Sequence, residues 1–540
     1  MSLLLSVPQL SARSSKEVEL DPLKVKKWVE ELPLLNIGET SRKLSAALSV
    51  HNRIEIEDNL RLQLLELLSY SINQISIELT KQYAGLPLPL SDKHKSIVEQ
   101  NSQLQVELAY GYKRVVVNMA EGMKANPKSH VLAIQRAIRS LTSVLAVSYQ
   151  SYSPSPEDTW KDIHTLYAHA ETMKVVLTQI EDPFNNAVTQ NSVGHSYKQA
   201  LLLGFSDPYH LPPRTIDRVY HYLDRWASLA ELTEVTSKYN PTCQFLIDLQ
   251  SDQVGISYAS DSVEVSSPRY RLLNTVNLAR QVHTHLTQLM HNQMPSPDGL
   301  QENFFEESGQ DLLKRLITSW GVNPQRAFRR SLRDGHQKEM VAGLDAVSYW
   351  INKGEEFIVS STFVGPMPKR TLIGTDDVKK KIAPLPGQKY TTWDIQDEGA
   401  GGVSLSKSGQ LAMPVQVGDL VVTRTPGEGN PWGIGVIRWV KSTTPANIEI
   451  GVQYLAPRAD PVVIKVLTEN EKESDFLPAL LLPRVKPLKQ LQSLITRRGI
   501  HKPGVQVYMD NGYKLFKIEP TAMIEANHSF EQFQFSILHG

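Results

Sequence analysis

The sequence predicts a multidomain chain in which an all-α helical domain is followed by an antiparallel β-barrel with additional β-strands. Apolar residues recur at alternating three- and four-residue steps from about Asp21 to about Trp320, the period of an amphipathic helix. After about Arg333 the texture changes to short β-branched runs separated by Gly and Pro, the pattern of a small barrel or sandwich. The length of 540 residues, at roughly 150 per domain, leaves room for about three or four such units.

The helical domain is expected over 21–320, after an N-terminal tail of 1–20. Its clearest stripe is Leu65, Leu68, Ile72, Ile75 and Leu79. A second runs Leu272, Val276, Ala279, His283, Leu286, Met290 and sets a histidine in a core slot. Ser155-Pro156-Glu157-Asp158 reads as a helix start: a serine cap, a proline at the first helical position and acids in the first turn. Helices end near Gly85 and around Asn126-Pro127. Between about Cys243 and Ser267 the helical period breaks and Phe245, Ile247 and Leu249 alternate, which predicts a short hairpin near 243–267.

The barrel is expected over 321–457, with strands in Met340 to Leu344, Leu420 to Val422, Gly433 to Val440 and Asn447 to Leu455. Several prolines and the run Lys379-Lys380-Lys381 mark a long insertion near 354–390. A C-terminal β extension over 458–540, including Val505 to Tyr508 and Phe530 to Phe535, is expected to cover or extend the barrel.

Composition narrows the function. The 57 Lys+Arg balance 57 Asp+Glu, which argues against a polyanion binder held by non-specific electrostatics. With Cys243 alone there is no internal disulfide and no thiolate cage, so a reducing, cytoplasmic setting fits. The apolar start Met1 to Leu5 lacks a basic lead and soon reaches Pro8, and no apolar run approaches the roughly 20 residues of a membrane span. Phosphate-loop, HExxH, GxSxG and GxGxxG motifs are missing, so no enzyme is expected. His283 and His285, two apart on a helix, do not share a face, and with His291 they make a poor metal set. Cys243 reads as a buried small hydrophobe.

Two features carry chemistry. Arg326, Arg329, Arg330 and Arg333 fall within eight residues at the boundary between the halves. Guanidinium forks suit phosphates and the O6 and N7 edge of guanine, although a solvated linker has the same composition. The second feature is Asp397-Glu398-Gly399-Ala400-Gly401-Gly402 leading into an alternating strand, where glycines let backbone amides approach a ligand or simply form a bulge.

The order Arg329-x-x-x-Arg333, a strand, Asp397-x-Gly399-x-x-Gly402, then Val417-Gly418-Asp419, Gly435 to Trp439 and Ile450 to Gln453 resembles the PilZ family over roughly Val322 to Ala456. That family is a six-stranded barrel receptor for cyclic di-GMP with the signature RxxxR and [DN]xSxxG. The resemblance implies that Arg329 and Arg333 grip guanine edges and phosphates and that Arg330 or Arg326 stacks or adds charge. It also implies that Asp397 takes a guanine edge and that Gly402 permits the close turn. Gly399 stands where the family has serine, and the gap from Arg333 to Asp397 is longer than the family's.

The implied function is a cyclic di-GMP effector whose helical domain relays the signal to a protein partner. The alternative is a nucleotide-independent adaptor with a degenerate barrel, favoured by Gly399. Nucleic-acid binding is the weaker reading. Arg484, Lys486, Lys489, Arg497, Arg498 and Lys502 form a basic run, but no aromatics are interleaved for stacking.

Overall fold

The structure is a computed structural model. It describes residues 3–11, 19–122, 126–185, 187–235, 242–257, 267–291, 293, 300, 304, 307–321, 331–332, 335–355, 357–359, 389–409, 411, 413–427, 429–444, 447–466, 476–484, 491–502 and 504–538. The chain divides into two compact units, Met1–Leu86 with Leu90–Gln325, and Pro87–Pro89 with Arg326–Gly540.

The first unit contains α1 (Pro22–Glu30), α2 (Ile37–His51), α3 (Asp58–Tyr83), α4 (Asp92–Glu121), α5 (Pro127–Gln150), α6 (Thr159–Thr172), α7 (Val193–Gly204), α8 (Ile216–Trp226), α9 (Val276–Met290) and α10 (Glu307–Gly321). On α3 the expected stripe of Leu65, Leu68, Ile72, Ile75 and Leu79 is buried. Asn126 and Pro127 begin α5, where the Asn126 side chain accepts from the Lys128 amide at 3.0 Å. By length and composition α5 could cross a membrane, yet 78% of its most apolar window is buried inside this unit.

Polar positions on α5 tie it to the short ladder of β1 (Ile180–Glu181) and β2 (Gln190–Asn191). The buried Asp182 carboxylate accepts from Gln135 at 2.9 Å, Asn191 at 2.9 Å and Arg139 at 3.2 Å. Burial alone would raise its pKa, but Arg139 and Arg136 hold it below the usual carboxylate value.

Three local expectations are corrected here. Helix α6 starts at Thr159, not at Pro156. Its N-terminal amides are met from far along the chain: the Asp252 carboxylate accepts from the amides of Asp158 at 2.9 Å and Lys161 at 3.1 Å, so no serine cap is used. On α9 the buried residues are Leu278, Val282, His285, Leu286 and Leu289, while His283 is exposed. Leu272 belongs to a strand, so a helical stripe counted from it runs out of phase. Cys243 is half-buried, and its Sγ–H donates to the Gly321 carbonyl at 3.0 Å.

The expected hairpin is part of a sheet of β3 (Glu231–Glu234), β4 (Gln244–Asp248), β5 (Ile256–Ser257) and β6 (Tyr270–Asn274), in the order β3-β6-β4-β5. Phe245, Leu246 and Ile247 are all buried, because both faces of β4 are covered.

The second unit holds two barrels. The first uses β7 (Ser331–Leu332), β8 (Gln337–Ala342), β9 (Thr391–Gly399), β10 (Gly402–Ser408), β11 (Leu420–Arg424), β12 (Gly433–Thr444) and β13 (Asn447–Ala456). The sheet order β10-β13-β12-β11-β8-β9 closes because β9 also pairs with β10, while β7 adds to the edge of β9 beside β8. Of the expected insertion, 360–388, including the Lys379–Lys381 run, lies outside the described residues.

The C-terminal strands do more than extend this barrel. Strands β14 (Asp460–Val466), β15 (Leu477–Leu482), β16 (Ser493–Thr496), β17 (Val507–Asp510), β18 (Leu515–Ala526) and β19 (Glu531–Ile537) close a barrel of their own, in the order β14-β15-β16-β19-β18-β17. Helix α11 (Leu344–Ile351), which follows Gly343 at a φ of 89°, places Leu344, Ala346 and Val347 in one core with Val341, Leu420 and Val422 of the first barrel and Leu480, Leu482 and Ile495 of the second. Beside that core, Arg438 pairs with Glu525 at 2.7 Å and Arg497 with Asp345 at 2.7 Å. The basic residues Lys486 and Lys489 lie outside the described residues.

Burial in the helical unit makes a pH prediction. Burial lowers the pKa of His130 to about 4, helped by His169, and that of His285 also to about 4. Both are neutral when folded and bind protons when unfolded. Their contribution is therefore complete above the unfolded value near 6.5 and is lost as pH falls toward 4, on the order of 1–2 kcal/mol each by pH 5. Urea denaturation should show stability dropping from pH 7.5 to pH 5, with a smaller drop in His130→Asn.

Candidate functional site

The candidate site lies on the outer face of the first barrel. Its interior is marked by the buried Trp393, Ile395, Val403, Leu405, Ile437, Val440, Ile450 and Val452. Side chains of a strand alternate between faces, so Ser404 and Gly451, each between two interior residues, point outward. Asp397 pairs with Ser404, Ser404 with Gly451, and Gly451 with Trp439. Direct cross-strand partners share a face, so these four residues form one row across β9, β10, β13 and β12.

Both ends of the row depend on a bulge. In β9 the register shifts between Ser404 paired with Asp397 and Leu405 paired with Ile395, which leaves Gln396 as an extra residue. In β12 the shift between Ile437 and Trp439 leaves Arg438 extra. With Ile395 and Ile437 inside, strict alternation would turn Asp397 and Trp439 inward. The bulges turn them out, the usual way a sheet re-aims one side chain. The Gln396 amide fixes the first bulge by donating to the Ser406 hydroxyl at 2.7 Å.

The glycines fit this geometry. Gly399 pairs with Gly402 across the two-residue connection Ala400-Gly401, a tight hairpin. A Cβ on Gly402 would overlap the Val452 carbonyl oxygen, and a Cβ on Gly451 would overlap the Trp439 indole. Gly402 thus lets β10 lie close to β13, and Gly451 makes room for an aromatic ring on the barrel surface.

Beneath the hairpin, Glu398 shares the inner face with Val403. Its carboxylate accepts from Lys338 at 3.0 Å and from the Tyr454 hydroxyl at 2.9 Å, so its charge is satisfied inside the barrel mouth.

Of the residues singled out in the sequence, Asp397, Gly399 and Gly402 come together in the β9–β10 hairpin. Arg326, Arg329, Arg330 and Arg333 lie outside the described residues. Their chain neighbours do not: Ser331 and Leu332, the two residues between Arg330 and Arg333, pair as β7 with Glu398 and Asp397 of β9. His283 and His285 are separated by burial as well as by facing. The His285 ring contacts the Tyr222 hydroxyl at 3.1 Å and the Gln281 amide at 2.8 Å. Among the described residues no cluster of three metal-ligating side chains occurs.

Sequence reasoning missed Trp439 as a site residue. A signal was present: Arg438 and Trp439 stand as two successive outward residues between the interior Ile437 and Val440, which breaks the period of two.

Comparison with known proteins extends the likeness over nearly the whole chain. Residues 23–238 match the family described as cyclic-di-GMP receptor FimW, N-terminal domain. Residues 244–366 and 374–461 match its middle PilZ domain, and 462–538 the FimW C-terminal beta-barrel domain. The helical half, which the sequence motifs did not reach, is therefore covered too. Among curated proteins the chain is similar to the cyclic-di-GMP receptor FimW of Pseudomonas aeruginosa, 25% identical over 94% of this chain and 89% of the relative. No solved structure matches it significantly.

The indole over Gly451 is directly testable. Gly451→Ala should displace Trp439, shift its emission to the red and destabilise the fold by about 1–3 kcal/mol. Comparing Gly451→Ala with the same change in a Trp439→Phe background should remove the spectral difference.

Proposed function

The chain is a PilZ-domain protein, and from that premise we propose that its first barrel is a receptor for cyclic di-GMP. The observation that carries the reading is the pairing of Ser331–Leu332 with Glu398 and Asp397. It sets the two residues between Arg330 and Arg333 beside Asp397, although Arg333 and Asp397 lie 64 positions apart in the sequence, and so supports reading the two motif halves as one site. A carboxylate at Asp397 accepts from the imino and amino donors of guanine, which a guanidinium cannot engage. Arg329 and Arg333 take the O6 and N7 edge and the phosphates, with Arg326 and Arg330 adding charge or stacking. Gly399 and Gly402 keep the hairpin low enough for a base to approach.

The protein acts by binding, not by catalysis, on a cytoplasmic second messenger. The nucleotide orders the arginine lead-in, and the helical domain over 21–320 passes that change to a protein partner. The relative is named a cyclic-di-GMP receptor, which supports the ligand. Gly399 in the serine position favours the second reading, a nucleotide-independent adaptor.

Titration calorimetry decides between them. The wild type should give saturable heat with cyclic di-GMP. Asp397→Ala should weaken binding by about 1–3 kcal/mol, roughly tenfold to a hundredfold. Arg329→Ala with Arg333→Ala should abolish it. Equal heats for all three proteins, or none from the wild type, would contradict the receptor.

A further inference from the structure

The helical unit holds a cleft that the cyclic di-GMP reading does not use. It is lined by residues of α7, the end of α8, β2, β3 and the segment that follows α6. Its volume of about 380 Å³ falls in the range of small-molecule sites, roughly 300–1,000 Å³. Lys198 and Arg225 line it, and no aspartate or glutamate among the described residues does. Val176, Val188 and Leu232 give it an apolar side.

The walls are fixed by bonds made inside the unit. The Gly194 amide donates to the Val176 carbonyl at 2.9 Å, and a Cβ on Gly194 would come within 2.8 Å of the Val176 side chain. The His195 amide donates to the Ser192 hydroxyl at 3.2 Å. These first amides of α7 are therefore taken, and the positive character of the cleft comes from its side chains. Asn191 ties β2 to the Asp182 network by donating to that carboxylate at 2.9 Å. A cleft braced on both sides in this way is formed before any ligand arrives.

Two groups in the cleft lack a full set of partners. Lys198 donates to the carbonyls of Ser228 at 3.1 Å and Ala230 at 2.8 Å, which uses two of its three N–H bonds. Among the described residues it makes no ion pair; burial pulls its pKa below the usual lysine value, opposed by the charge of Glu231. The His195 Nε2 is buried with no hydrogen-bond partner among the described residues, the kind of gap that a bound ligand or water closes. Burial, aided by Lys198, keeps that ring neutral with a pKa of about 4. Glu171, which bonds the hydroxyl of the cleft's Tyr167, is already neutralised by Arg271 at 2.6 Å.

We propose that this cleft binds a phosphomonoester, with the phosphate on Lys198 and Arg225 and an apolar or planar body against Val176, Val188 and Leu232. Two cations with no lining carboxylate suit a head of about two negative charges, which a phosphomonoester carries near pH 7 and a carboxylate does not. Tyr167, stacked on Tyr197 at 4.0 Å between ring centroids, adds an aromatic wall for the body. The site lies wholly within the helical unit, so it stands independently of the cyclic di-GMP reading.

The test uses the full-length chain and calorimetry, with phenyl phosphate, phenylacetate and inorganic phosphate as probes. Phenyl phosphate should bind saturably. It should bind more tightly than phenylacetate, which has the body with a single charge, and than inorganic phosphate, which has the head alone. Lys198→Met with Arg225→Met should bind it roughly ten times more weakly or worse. Because Lys198 also holds two carbonyls, Val188→Trp is the second variant: it fills the apolar side, keeps both cations and should block binding. Asp397→Ala should bind phenyl phosphate as the wild type does, which separates the cleft from the barrel. No saturable binding by the wild type, or unchanged affinity in either cleft variant that melts as the wild type does, would overturn the proposal. Phenylacetate or inorganic phosphate binding as tightly as phenyl phosphate, or loss of binding in Asp397→Ala, would overturn it as well.

Discussion

Closure of the first barrel rests on β9. One edge of this strand pairs with β7 and β8 and the other with β10, so the ring shuts only if β9 serves both neighbours along its length. A strand committed on both edges has no freedom to slide, because a slip of one residue would turn Trp393 and Ile395 out of the core. The bulge at Gln396 is the one place where its register relaxes, and it lies next to Asp397. Asp397 is thus aimed outward by the same strand that closes the fold. The short β7 ladder adds the second consequence: it sets Ser331 and Leu332 against Glu398 and Asp397 of β9.

The two barrels function as one body. Burial of Leu344, Val347, Val341, Leu480 and Ile495 in a common core removes apolar surface that neither barrel could cover alone. That shared core lets a side chain of one barrel determine the surface of the other. Arg438 and Glu525 exploit it, since an ion pair between loosely tethered domains would be worth little.

Much of this was legible in the sequence, and what was not has identifiable causes. The stripe from Leu65 to Leu79 and the helix break around Asn126-Pro127 are local, and local patterns survive folding, although that break was read as an end and not as the cap that begins α5. The start of α6 was misplaced because Asp252, more than ninety positions from Asp158, supplies the cap. His283 and His285 exchanged roles because the strand ending at Asn274 was counted into the helix. The strands of the C-terminal barrel were visible as apolar runs, but closure depends on β14 meeting β17, a pairing that no period reveals. Asp397, Gly399 and Gly402 could be read because they form one hairpin. Trp439 was missed, because beyond the break in the period of two at Arg438-Trp439 its place depends on a bulge in β12 and on a missing side chain at Gly451 in a different strand.

Hydrogen–deuterium exchange on the full-length chain, with and without cyclic di-GMP, tests the central claim most directly, because it reports where the ligand sits without altering a residue. Slower exchange concentrated in the β9–β10 hairpin, 394–404, and in β12 around 437–441 is the result this account predicts. Protection confined to the helical unit, or no change at either strand while the nucleotide is bound, would contradict it.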